Sequence, residues 1–180
     1  LLEPVVWLYV RTQDKRYLDF ATEIVRQVGE DPDGPRLIAQ ADVPVADRRL
    51  ASAPKNPRGR DAWYYIRQLT KAYEMMSCYQ GLLEYYEATG RRDCLDASVK
   101  AAESIAKDEI NLAGGAAARE LWCHGARQQY RHFAWQQETC VITTWMRLCE
   151  KLLAVTGDSK WADQMEKTFY NAYLGALNRQ

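Results

Sequence analysis

Thr12-Gln13-Asp14-Lys15-Arg16-Tyr17-Leu18-Asp19, Thr89-Gly90-Arg91-Arg92-Asp93-Cys94-Leu95-Asp96 and Thr156-Gly157-Asp158-Ser159-Lys160-Trp161-Ala162-Asp163 are three versions of one phrase. In each, a threonine is followed five residues later by an aromatic residue or cysteine, then by Leu or Ala, then by Asp. Gly90 and Gly157 suit the positive φ that ends many helices. Asp14 and Asp158 suit the start of the helix that follows. The phrase reads as a tight turn between two antiparallel helices.

The residues on either side agree. Tyr73, Met76, Tyr79, Leu82, Leu83 and Tyr86 lead into the second turn, and Trp145, Leu148, Leu152 and Val155 lead into the third. Phe20, Ile24 and Val28 follow the first turn; Met165, Phe169 and Tyr173 follow the third. Spacings of three and four put each set on one helical face. The expected fold is all-α: three helical hairpins at approximately 1–29, 69–107 and 138–177. Two long irregular connections join them. Residues 29–63 hold five prolines and no clean period. Residues 108–136 carry Gly114-Gly115 and then alternating polar and aromatic residues, a pattern that allows a short strand or two. Long connections within a compact helical array often carry function. Three hairpins joined in this way are half of a six-hairpin (α/α) toroid, or a stretch of helical solenoid, and repeat length alone does not separate the two.

Composition narrows the class of function. The chain has 24 basic and 24 acidic side chains and no net charge, so it builds no field for nucleic acid or an anionic membrane. Arg48, Arg49, Lys55, Arg58 and Arg60, set among prolines, read as a solvated loop. No apolar run approaches the roughly 18 residues of a membrane span. The five cysteines (Cys78, Cys94, Cys123, Cys140 and Cys149) are scattered and odd in number. They point to a reducing compartment, hence the cytoplasm, rather than a disulfide scaffold. Both ends of the sequence read as cut: the missing N-terminus allows a secreted or periplasmic location as well, and the remainder of the chain is an expected partner.

Gln136-Gln137-Glu138-Thr139-Cys140-Val141 opens the third hairpin. On a regular helix Glu138 and Cys140 point about 200° apart; in an extended entry segment they point to the same side. A carboxylate and a sulfur that converge make half of a tetrahedral zinc site. The ordinary reading of such a pair is a solvated Glu beside a buried Cys. His124 and His132 read as loop histidines, and most of the tryptophans and tyrosines as hairpin core.

Three runs carry a resemblance. They are Lys71-Ala-Tyr-Glu-Met-Met-Ser-Cys-Tyr-Gln-Gly-Leu-Leu-Glu-Tyr-Tyr86, Gln137-Glu-Thr-Cys-Val-Ile-Thr-Thr-Trp-Met-Arg-Leu-Cys149, and Thr156-Gly-Asp-Ser-Lys-Trp-Ala-Asp-Gln-Met-Glu-Lys-Thr-Phe-Tyr-Asn-Ala-Tyr-Leu-Gly175. Together they resemble the bacterial β-L-arabinofuranosidase family, glycoside hydrolase family 127, over most of the chain. The resemblance implies an (α/α)6 barrel and a retaining glycosidase whose nucleophile is a zinc-bound cysteine thiolate. By position it makes Glu138 and Cys140 metal ligands for Zn2+. It makes Glu120, in Arg119-Glu120-Leu121-Trp122, the general acid/base. In that chemistry sulfur attacks the anomeric carbon, and two inversions give retention.

The family's further ligands are an adjacent Cys-Cys pair, and no such pair occurs in these 180 residues. The nucleophile is therefore expected beyond Gln180, and this stretch alone is expected to be inactive. Three functions follow for comparison: a glycosidase acting on an L-arabinofuranoside or related glycoside, a non-catalytic helical-repeat module binding protein or glycan, and a sugar epimerase. The last would lean on histidines for proton transfer, of which there are two.

Overall fold

The computed structural model describes residues 1–49, 71–127, 129–130 and 137–177. Its helices are α1 (Leu2–Thr12), α2 (Lys15–Gly29), α3 (Ala72–Thr89), α4 (Arg92–Asp108), α5 (Thr139–Thr156) and α6 (Lys160–Lys167). The last runs on through a π turn, Thr168–Tyr173, and a final helical turn, Leu174–Ala176. The described residues form an all-α structure.

The repeated threonine turns out to be the working part of each turn. Thr12, Thr89 and Thr156 each donate a hydroxyl hydrogen bond to the carbonyl four residues back, on Leu8, Tyr85 and Leu152. Each hydroxyl also accepts the N–H two residues on, from Asp14, Arg91 and Asp158. One side chain thus closes the last turn of one helix and fixes the step into the next. Gly90 and Gly157 take the left-handed cap, at φ 76° and 69°. Gln13 does so in the first hairpin at φ 58°. Asp14 caps α2 by accepting the Arg16 N–H, and Asp158 accepts that of Lys160 in the same way.

α3 lies between α1 and α5 and carries the core of the molecule. Met76, Tyr79, Leu82 and Leu83 are fully buried on it, and Gly81 lets α1 approach until a Cβ there would stand 2.8 Å from Leu2. α3 and α5 run parallel: Gln80 meets Thr144, and Glu84 and Glu87 meet Lys151. In the third hairpin Trp145 and Trp161 pack edge to face with centroids 6.5 Å apart. Neither indole N–H finds a partner among the described residues. An unmet donor costs about 1–3 kcal/mol, whereas burying 150–250 Å2 of aromatic surface stabilises by roughly 4–6 kcal/mol at 25 cal/mol per Å2. Packing wins at this pair.

Two expectations change. Among the described residues, the 108–136 connection holds no strand; it makes isolated bridges, Lys71 with Leu121 and Ala118 with Leu121. Its backbone turns through left-handed residues too often for a strand to extend. Arg48 is fully buried rather than solvated. Its guanidinium hydrogen-bonds the Tyr79 hydroxyl and the Val43 carbonyl and lies over the Tyr79 ring. Arg49 is exposed, and Lys55, Arg58 and Arg60 lie outside the described residues.

Candidate active site at the starts of α3 and α5

α5 begins at the Glu-Thr-Cys run. Glu138 is its N-cap, in extended backbone at φ −86°, ψ 123°, and Cys140 sits in the first helical turn. The extended-to-helical change falls between the two residues, so neither of the simple spacings applies. Glu138 is half-buried and Cys140 exposed.

The second connection delivers Glu120 to the same place. Its N–H donates to Glu138 Oε1 at 2.6 Å, and its carbonyl accepts the N–H of Ala72, the first residue of α3, at 2.9 Å. Glu120 is thereby tied to the starts of both parallel helices. The geometry costs conformational energy: Ala117, Arg119 and Glu120 all have positive φ, at 67°, 54° and 69°. Each non-glycine residue in that region costs about 1 kcal/mol or more, and such strain collects where structure serves function. The Glu120 carboxylate is exposed and pairs with Lys71 Nζ at 3.0 Å; Lys71 also pairs with Glu74 at 2.9 Å. These partners, Glu74 first and Glu120 second, hold the Lys71 ammonium above its usual range.

Cys140 differs from the other cysteines. Burial pushes Cys94 up to about 12 and Cys123 up to about 11, and it raises Cys78 and Cys149 as well. Those four thiols resist ionisation, which suits packing rather than metal binding or nucleophilic attack. Cys140 is the exposed one. Among the described residues no group of three or more His, Cys, Asp and Glu side chains is placed to hold a metal ion.

A buried carboxylate supports the segment from below, and nothing in the sequence pattern marked it. Glu109 is fully buried just past α4. Its oxygens accept the N–H groups of Cys123, His124 and Gly125 at 2.9, 3.0 and 3.3 Å. Burial raises its pKa above the usual carboxylate range, with the three N–H donors and His124 acting in opposition. His124 Nε2 lies 3.0 Å from Asp47 Oδ1, joining the two long connections. His132 lies outside the described residues. The available signal for Glu109 was an acid set directly after a helix and between Asp108 and Ile110, too common a pattern to single it out.

The described residues form an all-α array of helical hairpins, and the comparisons give the family. The family model for the β-L-arabinofuranosidase GH127 catalytic domain matches residues 2–180. The chain belongs to that family. Among solved structures it is similar to a GH127 β-arabinofuranosidase, with TM-score 0.63 and 19% identity, covering 98% of this chain and 25% of that one. It is similar to a protein named as a glycoside hydrolase, with TM-score 0.65 and 20% identity, covering 98% and 29%. A GH127 β-L-arabinofuranosidase from Geobacillus stearothermophilus T6 has TM-score 0.61 and 18% identity, covering 97% and 28%. At these identities the likeness is one of fold. The chain spans between a quarter and a third of the length of those structures. No curated protein matches the sequence.

Proposed function

We propose that this chain is part of a retaining glycoside hydrolase that acts on β-L-arabinofuranosides or related glycosides. The observation that supports it is the tie between Glu120 and Glu138, which brings a candidate acid/base and a candidate metal ligand to the same helix starts through strained backbone. Membership of the family supports the reaction class.

In this reading the Glu120 carboxyl gives its proton to the glycosidic oxygen as the bond to the anomeric carbon breaks. The same carboxylate then takes a proton from the water that releases the sugar. Its exposure lets it reach substrate, and Lys71 holds it in place.

Zinc is implied by the family, and the donors suit it in kind. Glu138 has one oxygen engaged by the Glu120 N–H and the other without a partner among the described residues, and Cys140 offers an exposed sulfur. These two residues would supply half of a tetrahedral set. The other donors and the sulfur nucleophile would come from outside these 180 residues. Bound zinc would keep coordinated sulfur ionised at neutral pH.

The test is release of L-arabinose from a β-L-arabinofuranoside by the full-length protein, compared with Glu120→Gln. Turnover that collapses in the variant supports the reading. A full-length protein that cleaves no β-L-arabinofuranoside overturns it and leaves the non-catalytic helical-repeat module.

A further inference from the structure

A groove of about 300 Å3 runs over α3 between α1 and α5, lined by Glu3, Trp7, Gln80, Glu84, Arg147 and Lys151 among others. Gln80 is 3% exposed. Its Nε2 donates to the Thr144 carbonyl at 3.3 Å, yet its Oε1 is buried and has no partner among the described residues. A buried acceptor left without a donor is unfavourable, so the groove holds a place for a hydrogen-bond donor.

The surrounding charges say what kind. Arg147 pairs with Glu3 at 3.2 Å, and Lys151 pairs with Glu84 at 2.6 Å and with Glu87. These pairs, with Glu150 as a further acidic side chain on the lining, give no positive field to draw an anion and leave donors and acceptors around the rim. Trp7, half exposed, adds an aromatic surface. A buried acceptor, a rim of mostly paired charges and a half-exposed indole suit an uncharged, hydroxyl-rich ligand. Direction matters too. Arg147 stands seven residues along α5 from Cys140, two turns on the same helical face and about 10 Å away at 1.5 Å per residue.

We propose that this groove is a saccharide-binding subsite, which takes the sugar units of an oligosaccharide beyond the one held at Glu120. The proposal rests on the glycosidase reading for its choice of sugar. Trp7 packs on a sugar face, and Gln80 Oε1 accepts a sugar hydroxyl.

The experiment uses the full-length protein with Trp7→Ala, an exposed position, and Gln80→Leu, each checked for an unchanged fold by circular dichroism. Calorimetry with an L-arabinofuranosyl trisaccharide measures binding; kcat/KM is measured on that trisaccharide and on 4-nitrophenyl β-L-arabinofuranoside. Each variant is expected to weaken trisaccharide binding and kcat/KM by about fivefold to tenfold, the scale of one aromatic contact or one hydrogen bond. The aryl glycoside, too short to reach the groove, is expected to be turned over as before. Equal losses on both substrates, or none on either, overturn the subsite and leave Gln80 facing ordered water. Trp7-dependent binding without any turnover overturns the glycosidase reading and keeps the groove. No binding and no turnover overturns both.

Discussion

The amide nitrogen of Glu120 lies 2.6 Å from Oε1 of Glu138, across 18 residues of chain. The contact runs from backbone to side chain, so it fixes where the Glu120 main chain goes and leaves the carboxylate outside it, paired with Lys71. The consequences of that division can be measured.

Replacing Glu120 by Gln removes the acid and keeps both backbone ties. Turnover of glycosides with alkyl leaving groups is expected to fall by about 100-fold to 10,000-fold, the usual contribution of a positioned acid/base. Phenolic leaving groups need little protonation and are expected to lose much less. Equal activity of variant and parent on both substrate types would remove Glu120 from the mechanism. The check is kcat/KM across a series of leaving groups.

Cys140→Ser keeps the helix start and changes only the donor atom. Zinc bound per full-length chain, measured by atomic emission after dialysis, is expected to drop below that of the parent. Cys149→Ser, at a fully buried position, is expected to keep its zinc and lose stability instead. Undiminished zinc in Cys140→Ser would show that this sulfur is not a ligand.

Glu109 sets a pH dependence. Its folded-state pKa is raised by burial from an ordinary value of 4.5. Above 4.5, and up to the folded-state value, the folded chain binds more protons than the unfolded one, so stability falls as pH rises. Glu109→Gln is expected to flatten that slope and to lower the melting temperature throughout, since an amide oxygen serves three N–H donors less well. Thermal unfolding at several pH values between 4 and 7 reads both effects.

The turns give a stability test away from the chemistry. Thr156→Val loses a donated and an accepted hydrogen bond and is expected to cost about 1–2 kcal/mol. Gly157→Ala places a side chain at φ 69° and is expected to cost about 1–2 kcal/mol. Gly175→Ala sits within a helical turn with open space around it and is expected to be neutral or to stabilise by up to about 1 kcal/mol. Urea unfolding of the three variants separates the sites.

Much of this was legible in the residues. The three threonine phrases gave the turns because helix endings are local: Gly90, Gly157, Asp14 and Asp158 do their work within a few residues of themselves. Glu138 and Cys140, an ordinary pair by spacing alone, were singled out with Glu120 by position within the resemblance, and the structure adds the contact between Glu120 and Glu138. Glu109, Lys71 and the burial of Arg48 did not show, because each depends on partners far along the chain. Arg48 meets Tyr79 and Lys71 meets Glu120, and no period in the sequence records such meetings. The left-handed run at Ala117, Arg119 and Glu120 was equally hidden, since none of the three is the glycine that announces such a bend.

That bend also limits what protein engineering can borrow. Residues 116–122 have their shape only while the first turns of two neighbouring helices grip them on both sides and Glu109 braces the strip that follows. Grafted into an unrelated scaffold, the same seven letters would relax to an ordinary coil and carry no activity with them. Any transplant has to bring both helix starts along.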